Sequence, residues 1–376
     1  MQFEPLSFCV NSKGICHGIN DFNNINNQYQ FPKRYALGIN SERKYHNELI
    51  HNYDKSSINT IETIRKYLEK ATNPQALIFS LLAGESTTSL LNNEFFEELN
   101  NFNKKLDIIS CLFYNFEQIN TGISPIYELF STVTFQKYSD LILPFDIYLI
   151  AQNNLENFQN PMKLNKSFQN INELLAECFF KFFLPIKLMG SNSIDINEMI
   201  KKLIRIKELK FITSNLYYPV SNLSPDLFCD SFVKNCFLSP NLQGTIIGNK
   251  HTLISSIVNI DVSISEEYNR NLKKRLIDTS ILLNSKDFSK NISIFVNNNK
   301  IDSSIIPVFY SCNSTSISAF LSKINSRVTI SQLNQYKLLY PLEKTTHLEN
   351  NIVNSKLVVE KIKTFYESFD KHNQYF

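Results

Sequence analysis

A cysteine near the start of the sequence stands between two glycines, in a chain of 376 residues that has only eight glycines. The segment is Gly14-Ile15-Cys16-His17-Gly18, and two further glycines precede His251 by three and seven positions. Glycine lets a backbone approach its neighbours closely, and a cysteine paired with a histidine base is a common nucleophile. These residues predict a cysteine enzyme, with Cys16 as the nucleophile and His251 as its base.

The residues around Cys16 are suited to activating a thiol. The pattern predicts a helix that begins at Cys16 and continues to Ile25. A thiol at the N-terminus of a helix has a lowered pKa, because the helix dipole and the free amides stabilise the thiolate. The amide of Cys16 would then face the developing oxyanion, and the side chain of Asn11 or Ser12 would supply a second donor.

His251 has the most suitable setting among the six histidines. It follows a turn with two glycines and opens an apolar strand that is predicted over residues 252–260. His17 is next to Cys16 in the sequence, but on a helix its side chain would point about 100° away from the cysteine. The base is therefore assigned to His251.

The orienting acid for this histidine is predicted at Asp261, at the far end of the same strand. Ten residues of one strand span roughly 33 Å, so Asp261 can serve His251 only if the segment folds back on itself. The alternatives downstream are Asn259, Glu266 and Asn298.

The elements that would position these residues are predicted from periodicity and capping signals. Across residues 41–206 apolar side chains return every three or four positions, which predicts a helical insertion or subdomain. Ser57, Asn93 and Asp195 stand where helix N-caps are expected. Breakers such as Asn73-Pro74 divide the region into six or seven helices.

The expected fold class is α+β. Residues 1–40 would form the N-terminal part of the catalytic core with the cysteine helix, and residues 41–206 the helical insertion. Residues 207–376 would form the rest of the core, with the histidine strand in an antiparallel sheet, because β-branched runs begin after Leu209. Residues 351–369 predict an amphipathic C-terminal helix.

Composition indicates a globular protein in a reducing compartment. The 38 basic and 35 acidic residues nearly balance and form no polybasic run, so no nucleic-acid partner is expected. Seven scattered cysteines suit free thiols better than a disulfide framework. The first ten residues have no basic region and no long apolar stretch, so synthesis in the cytosol without a cleaved signal peptide is expected.

Membrane, metal and cofactor sites are not expected. The most apolar stretches, residues 141–151 and 174–190, are interrupted by charges and are shorter than the roughly 18 to 20 residues of a spanning helix. Both are expected to be buried helices. Cys229 and Cys236 lack the spacing of a zinc site, and no phosphate-binding glycine motif occurs.

The Gly-x-Cys-x-Gly segment, followed far downstream by a strand-initial histidine, resembles the papain-like cysteine peptidases. The resemblance is greatest to the divergent effectors that intracellular bacteria direct at their hosts. It covers only the surroundings of Cys16 and His251, and Val10 stands where the family has a glutamine. The resemblance implies a papain-like core and cleavage of a peptide, isopeptide or related amide bond by Cys16, His251 and a downstream Asp or Asn.

The same resemblance implies a host protein as the substrate, reached through a specialised secretion system. Two alternatives remain open at this point. The first is an acyl transferase on the same scaffold. The second is a non-enzymatic helical effector that binds a host protein or a membrane surface.

Overall fold

The computed structural model describes the chain in separate stretches, which belong to two compact units. Unit 1 comprises Met1–Ala176 and Leu321–Lys361, and unit 2 comprises Glu177–Phe320 and Ile362–Phe376. The described residues are 6–10, 35–39, 50–53, 57–70, 76–84, 91, 93–102, 106–114, 116, 123–149, 178, 182–183, 194–217, 227, 230–232, 251–261, 270–271, 274, 292–297, 308–339 and 345–372.

Helices and sheets both occur in these stretches, which confirms the expectation that the chain combines the two. The strands are β1 (Leu6–Val10), β2 (Tyr35–Ile39), β3 (Ile50–Tyr53), β4 (Ala76–Leu82), β5 (Asp107–Tyr114), β6 (Leu141–Asp146), β7 (Thr213–Tyr217), β8 (Leu253–Asp261), β9 (Ile292–Asn297) and β10 (Val308–Ser314). The longer helices are α1 (Ser57–Lys70), α2 (Asn93–Phe102), α3 (Ser124–Tyr138), α4 (Ile196–Leu203), α5 (Ile317–Arg327), α6 (Ile330–Leu339) and α7 (Thr345–His372).

Unit 1 is built on a six-stranded sheet, sheet 1, in the order β3-β2-β1-β4-β5-β6. Every neighbouring pair in it is parallel. Parallel strands need crossover connections, and α1, α2 and α3 lie in the connections before β4, β5 and β6. Strands β2 and β3 are added on one side of β1, and strands β4, β5 and β6 are added on its other side. We call the boundary between β1 and β4 the switch point.

Residues 41–206 differ from the expected helical insertion, because they contribute strands β3 to β6 as well as helices. Strands β4, β5 and β6 are continuous apolar runs buried at successive positions. Such runs are typical of parallel strands covered on both faces, and periodicity alone does not separate them from buried helices. Residues 141–151, expected as a buried helix, contain β6 for this reason. Residue 40 is not a boundary between the compact units, because β2 and β3 lie on either side of it in sequence and pair with each other in unit 1. The range 207–376 is divided between the two units.

The capping signals located the starts of the expected helices. Helix α1 begins at Ser57 and α2 at Asn93. Asp195 is the N-cap of α4, where its Oδ1 accepts a hydrogen bond of 2.6 Å from the backbone N of Glu198. The predicted C-terminal helix is confirmed as α7. These signals are local, so they operate whatever the rest of the chain does.

Aromatic packing fills the core of unit 1 on one side of sheet 1. Phe96 of α2 lies at its centre, with its ring 5.7 Å from Phe79, 5.2 Å from Phe95, 5.3 Å from Phe135 and 4.9 Å from Tyr138. Phe96 is fully buried. The cluster joins β4, α2 and α3, so these elements are held together chiefly by apolar burial.

Unit 2 is built on a four-stranded sheet, sheet 2, in the order β7-β10-β8-β9. Strand β10 is antiparallel to both β7 and β8, whereas β8 and β9 are parallel. The sheet expected to be antiparallel is therefore mixed. Tyr366, in the last part of α7, is fully buried in this unit and makes hydrogen bonds to the backbone of Phe211.

Candidate functional site

The predicted nucleophile follows the strand that borders the switch point. Strand β1 ends at Val10, with β2 on one side and β4 on the other. The chain continues with Asn11, Ser12 and Cys16, which lie outside the described residues. In open parallel sheets, ligands bind beyond the carboxyl ends of the strands at the point where the strand order reverses. The carboxyl end of β1 is therefore the candidate site in unit 1.

The carboxyl end of β4, on the other side of the switch point, is held close to helix α3. A Cβ at Gly84 would lie 2.1 Å from Oγ of Ser124, so a larger residue would require the Ser124 side chain to move. The backbone N of Ala83 donates to the carbonyl of Phe113 at 2.8 Å, and the carbonyl of Ala83 accepts from Oγ of Ser131 at 3.0 Å. The backbone at this edge is thus fixed on both sides.

Two ion pairs lie at the carboxyl ends of β5 and β6. Lys323 donates from Nζ to Oδ2 of Asp146 at 3.2 Å, and Nε of Arg327 is 3.6 Å from Oε2 of Glu128. Both cations lie over the ring of Phe116, at 4.7 Å for Lys323 and 5.2 Å for Arg327. The two pairs join α5 to this edge of sheet 1.

The carboxyl group of Asp146 is destabilised in its charged form by burial. Burial raises its pKa above the usual value, although the charge of Lys323 acts in the opposite direction. Its Oδ1 also accepts from the backbone N of Leu149 at 3.2 Å. Sequence reasoning missed this cluster. The available signals were an aspartate that ends an apolar run and two cations four residues apart on one helix.

His251 is half-buried, and its Nδ1 atom is buried. It stands two residues before β8, which runs without reversal from Leu253 to Asp261. The pairing of β8 with β10 shifts once, at Asn313/Ser314, but the strand continues. At about 3.3 Å per residue, Asp261 lies roughly 26 Å from Leu253. The prediction that Asp261 orients His251 required the segment to fold back, and β8 does not fold back between Leu253 and Asp261.

A different carboxylate lies at the start of β8. Oδ1 of Asp370, near the end of α7, accepts from the backbone N of Thr252 at 3.0 Å and from Oγ1 of Thr315 at 2.6 Å. Thr252 is the residue that follows His251. Nothing in the sequence connects Asp370 with His251, since only the fold brings the end of α7 to the start of β8.

Three cysteines whose side chains the structure describes are free thiols in the interior. Cys111, Cys178 and Cys312 are all buried. Burial raises the pKa of Cys312 to about 11, despite a contact of 3.0 Å between its Sγ and Oγ1 of Thr213. Burial likewise raises the pKa of Cys111. Cys111 and Cys312 are therefore protonated at neutral pH and do not compete with Cys16 as nucleophiles.

Comparison with known proteins assigns no family, because no protein-family model matches the chain and no curated protein is significantly similar to it. Among the helices that the structure describes, none is both long and apolar enough to cross a membrane. The function must therefore be inferred from the residues of this chain.

Proposed function

We propose that the protein is a thiol-dependent hydrolase that cleaves a peptide, isopeptide or related amide bond. Cys16 would be the nucleophile and His251 the base. The observation that supports this most directly is the position of β1, which ends six residues before Cys16 and borders the switch point of sheet 1. Open parallel sheets bind their ligands at that position.

The reaction would proceed in two steps. The thiolate of Cys16 attacks the carbonyl carbon, a carbon–sulfur bond forms, and the protonated His251 gives its proton to the departing amine. Water, deprotonated by His251, then hydrolyses the thioester. The amide of Cys16 and the side chain of Asn11 or Ser12 would stabilise the oxyanion.

The papain-like resemblance supports this mechanism more than it supports a papain-like core. Such a core would combine residues 1–40 with residues 207–376. The antiparallel pairs of sheet 2 and the strand after His251 agree with it. Strand β1, however, pairs inside a parallel sheet, which favours the same chemistry on a core that differs from the papain-like one. A host protein as the substrate, reached by translocation, is part of this proposal through the resemblance alone.

Thiol labelling tests the proposal. With iodoacetamide at pH 7, followed by mass spectrometry of the peptides, the wild-type protein should be alkylated rapidly at Cys16. The pH midpoint should lie below the value of about 8.5 for an ordinary cysteine. Cys16→Ala should remove the rapid phase and keep the circular dichroism spectrum.

Cys111→Ala is the matched control, because it removes a buried thiol and should leave the rapid phase unchanged. Equal labelling of wild type and Cys16→Ala would refute the assignment of the nucleophile. Supplying a primary amine during turnover of an amide substrate separates the acyl transferase from the hydrolase, because only the transferase forms the new amide in preference to the acid.

One observation favours the non-enzymatic alternative. Four large apolar side chains of α6 and α7 are more than half exposed: Ile330, Leu338, Val353 and Leu357. Exposed apolar side chains are typical of binding surfaces when they form a contiguous patch. In that alternative, binding to a host protein or a membrane surface is lost in Leu338→Glu and unaffected in Cys16→Ala.

A further inference from the structure

We propose that Lys323 and Arg327 form a binding site for an oxyanion, a carboxylate or phosphate group of a ligand, at the carboxyl edge of sheet 1. The site does not depend on the function proposed for Cys16 and His251, because it is built from residues of unit 1 that the proposed reaction does not use. Its test measures binding and requires no catalytic activity.

The acids that pair with these two cations lie at the carboxyl ends of parallel strands. Asp146, the partner of Lys323, is the last residue of β6. Glu128, the partner of Arg327, lies against the end of β4, since a Cβ at Gly84 would be 3.3 Å from its Oε1. Strand β4 borders the switch point, and open parallel sheets bind their ligands beyond this edge.

The carboxylates are enclosed, whereas the cations are more exposed. The side chains of Asp146 and Glu128 are 1% and 2% exposed. Those of Arg327 and Lys323 are 14% and 49% exposed. A ligand that approaches from solvent therefore meets the ammonium of Lys323 before it meets either acid. The accessible charge is positive, although the four side chains together are neutral.

The burial of the two acids is not explained by stability. Taking a carboxylate out of water is costly, and a buried ion pair is often no more stabilising than apolar side chains of similar volume. In pairs on helix surfaces, by contrast, Glu97 and Glu198 remain 64% and 49% exposed. Buried side chains that hold charged neighbours in a fixed position are typical of binding sites.

The two cations converge on one aromatic ring. Lys323 and Arg327 are four residues apart on α5, and their charged groups lie 4.7 Å and 5.2 Å from the ring centre of Phe116. Like charges at this spacing repel each other, and an anion bound between them relieves the repulsion. An ammonium has three N–H donors, and the bond to Asp146 uses one of them. Lys323 can therefore donate to an oxyanion while it keeps Asp146.

Isothermal titration calorimetry at pH 7 and low ionic strength tests the proposal, with sulfate and succinate as probes. Both are dianions, so tighter binding of sulfate assigns the site to phosphate-type groups and tighter binding of succinate assigns it to carboxylates. Lys323→Gln should weaken binding of the tighter probe by about tenfold or more, because it removes a charge-assisted hydrogen bond. Lys323→Arg keeps the cation and should keep the affinity within about threefold.

Asp146→Asn makes the opposite prediction. It keeps an oxygen acceptor for Lys323 and removes the negative charge that competes with the ligand, so the tighter probe should bind about threefold more tightly. This variant keeps the test decisive if Lys323→Gln fails to give the wild-type circular dichroism spectrum. An unchanged or weaker affinity in Asp146→Asn would overturn the proposal.

Lys137→Gln is the matched control. Nζ of Lys137 also lies over an aromatic ring, 4.6 Å from that of Tyr138, and 3.7 Å from a carboxylate oxygen of Glu97. Because Glu97 is exposed, this arrangement lacks the enclosed acid, and the variant should bind both probes as wild type does. An equal loss in Lys137→Gln and a folded Lys323→Gln, no loss in Lys323→Gln, or no binding of either dianion to wild type would refute the site.

Discussion

The two sheets bury different kinds of side chain. The interior of sheet 1 is mainly apolar, with Leu77, Phe79, Leu81, Ile109, Leu112, Phe113, Leu141, Leu143 and Phe145 all buried. The interior of sheet 2 contains many buried hydroxyl and amide groups, which belong to Thr213, Ser214, Ser255, Ser256, Asn259, Ser311, Asn313 and Ser314. The sheets must therefore be stabilised in different ways.

Sheet 2 depends on directional contacts. Oγ of Ser214 lies 3.1 Å from Oγ of Ser311 across the β7–β10 pair. Nδ2 of Asn313 donates to the carbonyl of Leu209 at 2.7 Å and to that of Leu203 at 3.3 Å. Each hydrogen bond adds only about 1 kcal/mol net, but an unpaired buried group costs more than that. Substitutions in sheet 1 should therefore destabilise the fold by creating cavities. Substitutions in sheet 2 should destabilise it by leaving buried polar groups without a hydrogen-bond partner.

The largest effect is expected for Phe96→Ala, which empties the centre of the aromatic cluster of unit 1. Removing a buried Phe side chain lowers the free energy of unfolding by about 3 to 5 kcal/mol. Hydrogen exchange measured by mass spectrometry should show lost protection in β4, β5 and β6. Phe96→Leu should recover much of it. An effect below about 1 kcal/mol would mean that apolar packing does not dominate sheet 1.

Asn313→Ala should have the next largest effect, about 2 kcal/mol, because it leaves buried carbonyls of Leu203 and Leu209 without this donor. Protection should be lost in β8 and β10. Ser256→Ala is the control in the same sheet, since Oγ of Ser256 is buried and has no hydrogen-bond partner among the described residues. That variant should be at least as stable as wild type, because it removes a buried hydroxyl that has no such partner. Similar losses in both would contradict the dependence on specific hydrogen bonds.

Tyr366→Phe should cost about 1 to 1.5 kcal/mol, a smaller loss than that of Asn313→Ala. The Tyr366 hydroxyl accepts from the backbone N of Phe211 at 3.1 Å and donates to the carbonyl of Phe211 at 3.2 Å. The Phe ring keeps the packing and removes only these bonds. Urea unfolding followed by circular dichroism measures the change. Equal stability of the two proteins would indicate that water satisfies Phe211 in the variant.

The contrast between the sheets also explains what could be predicted from sequence. Helices with capping residues were located correctly, because a cap such as Asp195 acts on its own first turn. Strand β8 of sheet 2 is a β-branched run, and it too was expected. Sheet 1 was missed. Its strands β4 to β6 are continuous apolar runs, and their pairing partners lie dozens of residues apart.

In the candidate site, too, some features could be predicted from local sequence and others depend on the fold. His251 was identified from its local setting before a strand, and the structure has it there. The carboxylate nearest the start of β8 among the described contacts could not be found locally, because Asp370 reaches Thr252 only when the end of α7 packs against the start of β8. Asp261 was predicted because it is near His251 in sequence. Because β8 is extended, residues at its two ends lie far apart in space.

The smallest effect on the free energy of unfolding is expected for substitution of Asp146, a charged residue in the apolar surroundings of sheet 1. Its side chain is 1% exposed and that of Lys323 is 49% exposed, so the lysine can be solvated without its partner. Asp146→Asn should therefore lie within about 1 kcal/mol of wild type at pH 7. A loss above about 2 kcal/mol would show that the attraction of Lys323 outweighs the cost of burial.

A more specific prediction for Asp146 concerns how the stability of the protein depends on pH. Burial raises the pKa of Asp146 above its usual 3.8, so the folded protein holds the proton more tightly than the unfolded chain. The resulting stabilisation is complete below about pH 3.8 and is lost as the pH rises through the folded pKa. Wild type should therefore gain stability relative to Asp146→Asn on acidification. The exposed Glu62 has a pKa lowered by its hydrogen bond with Arg65, so wild type should lose stability relative to Glu62→Gln over the same titration.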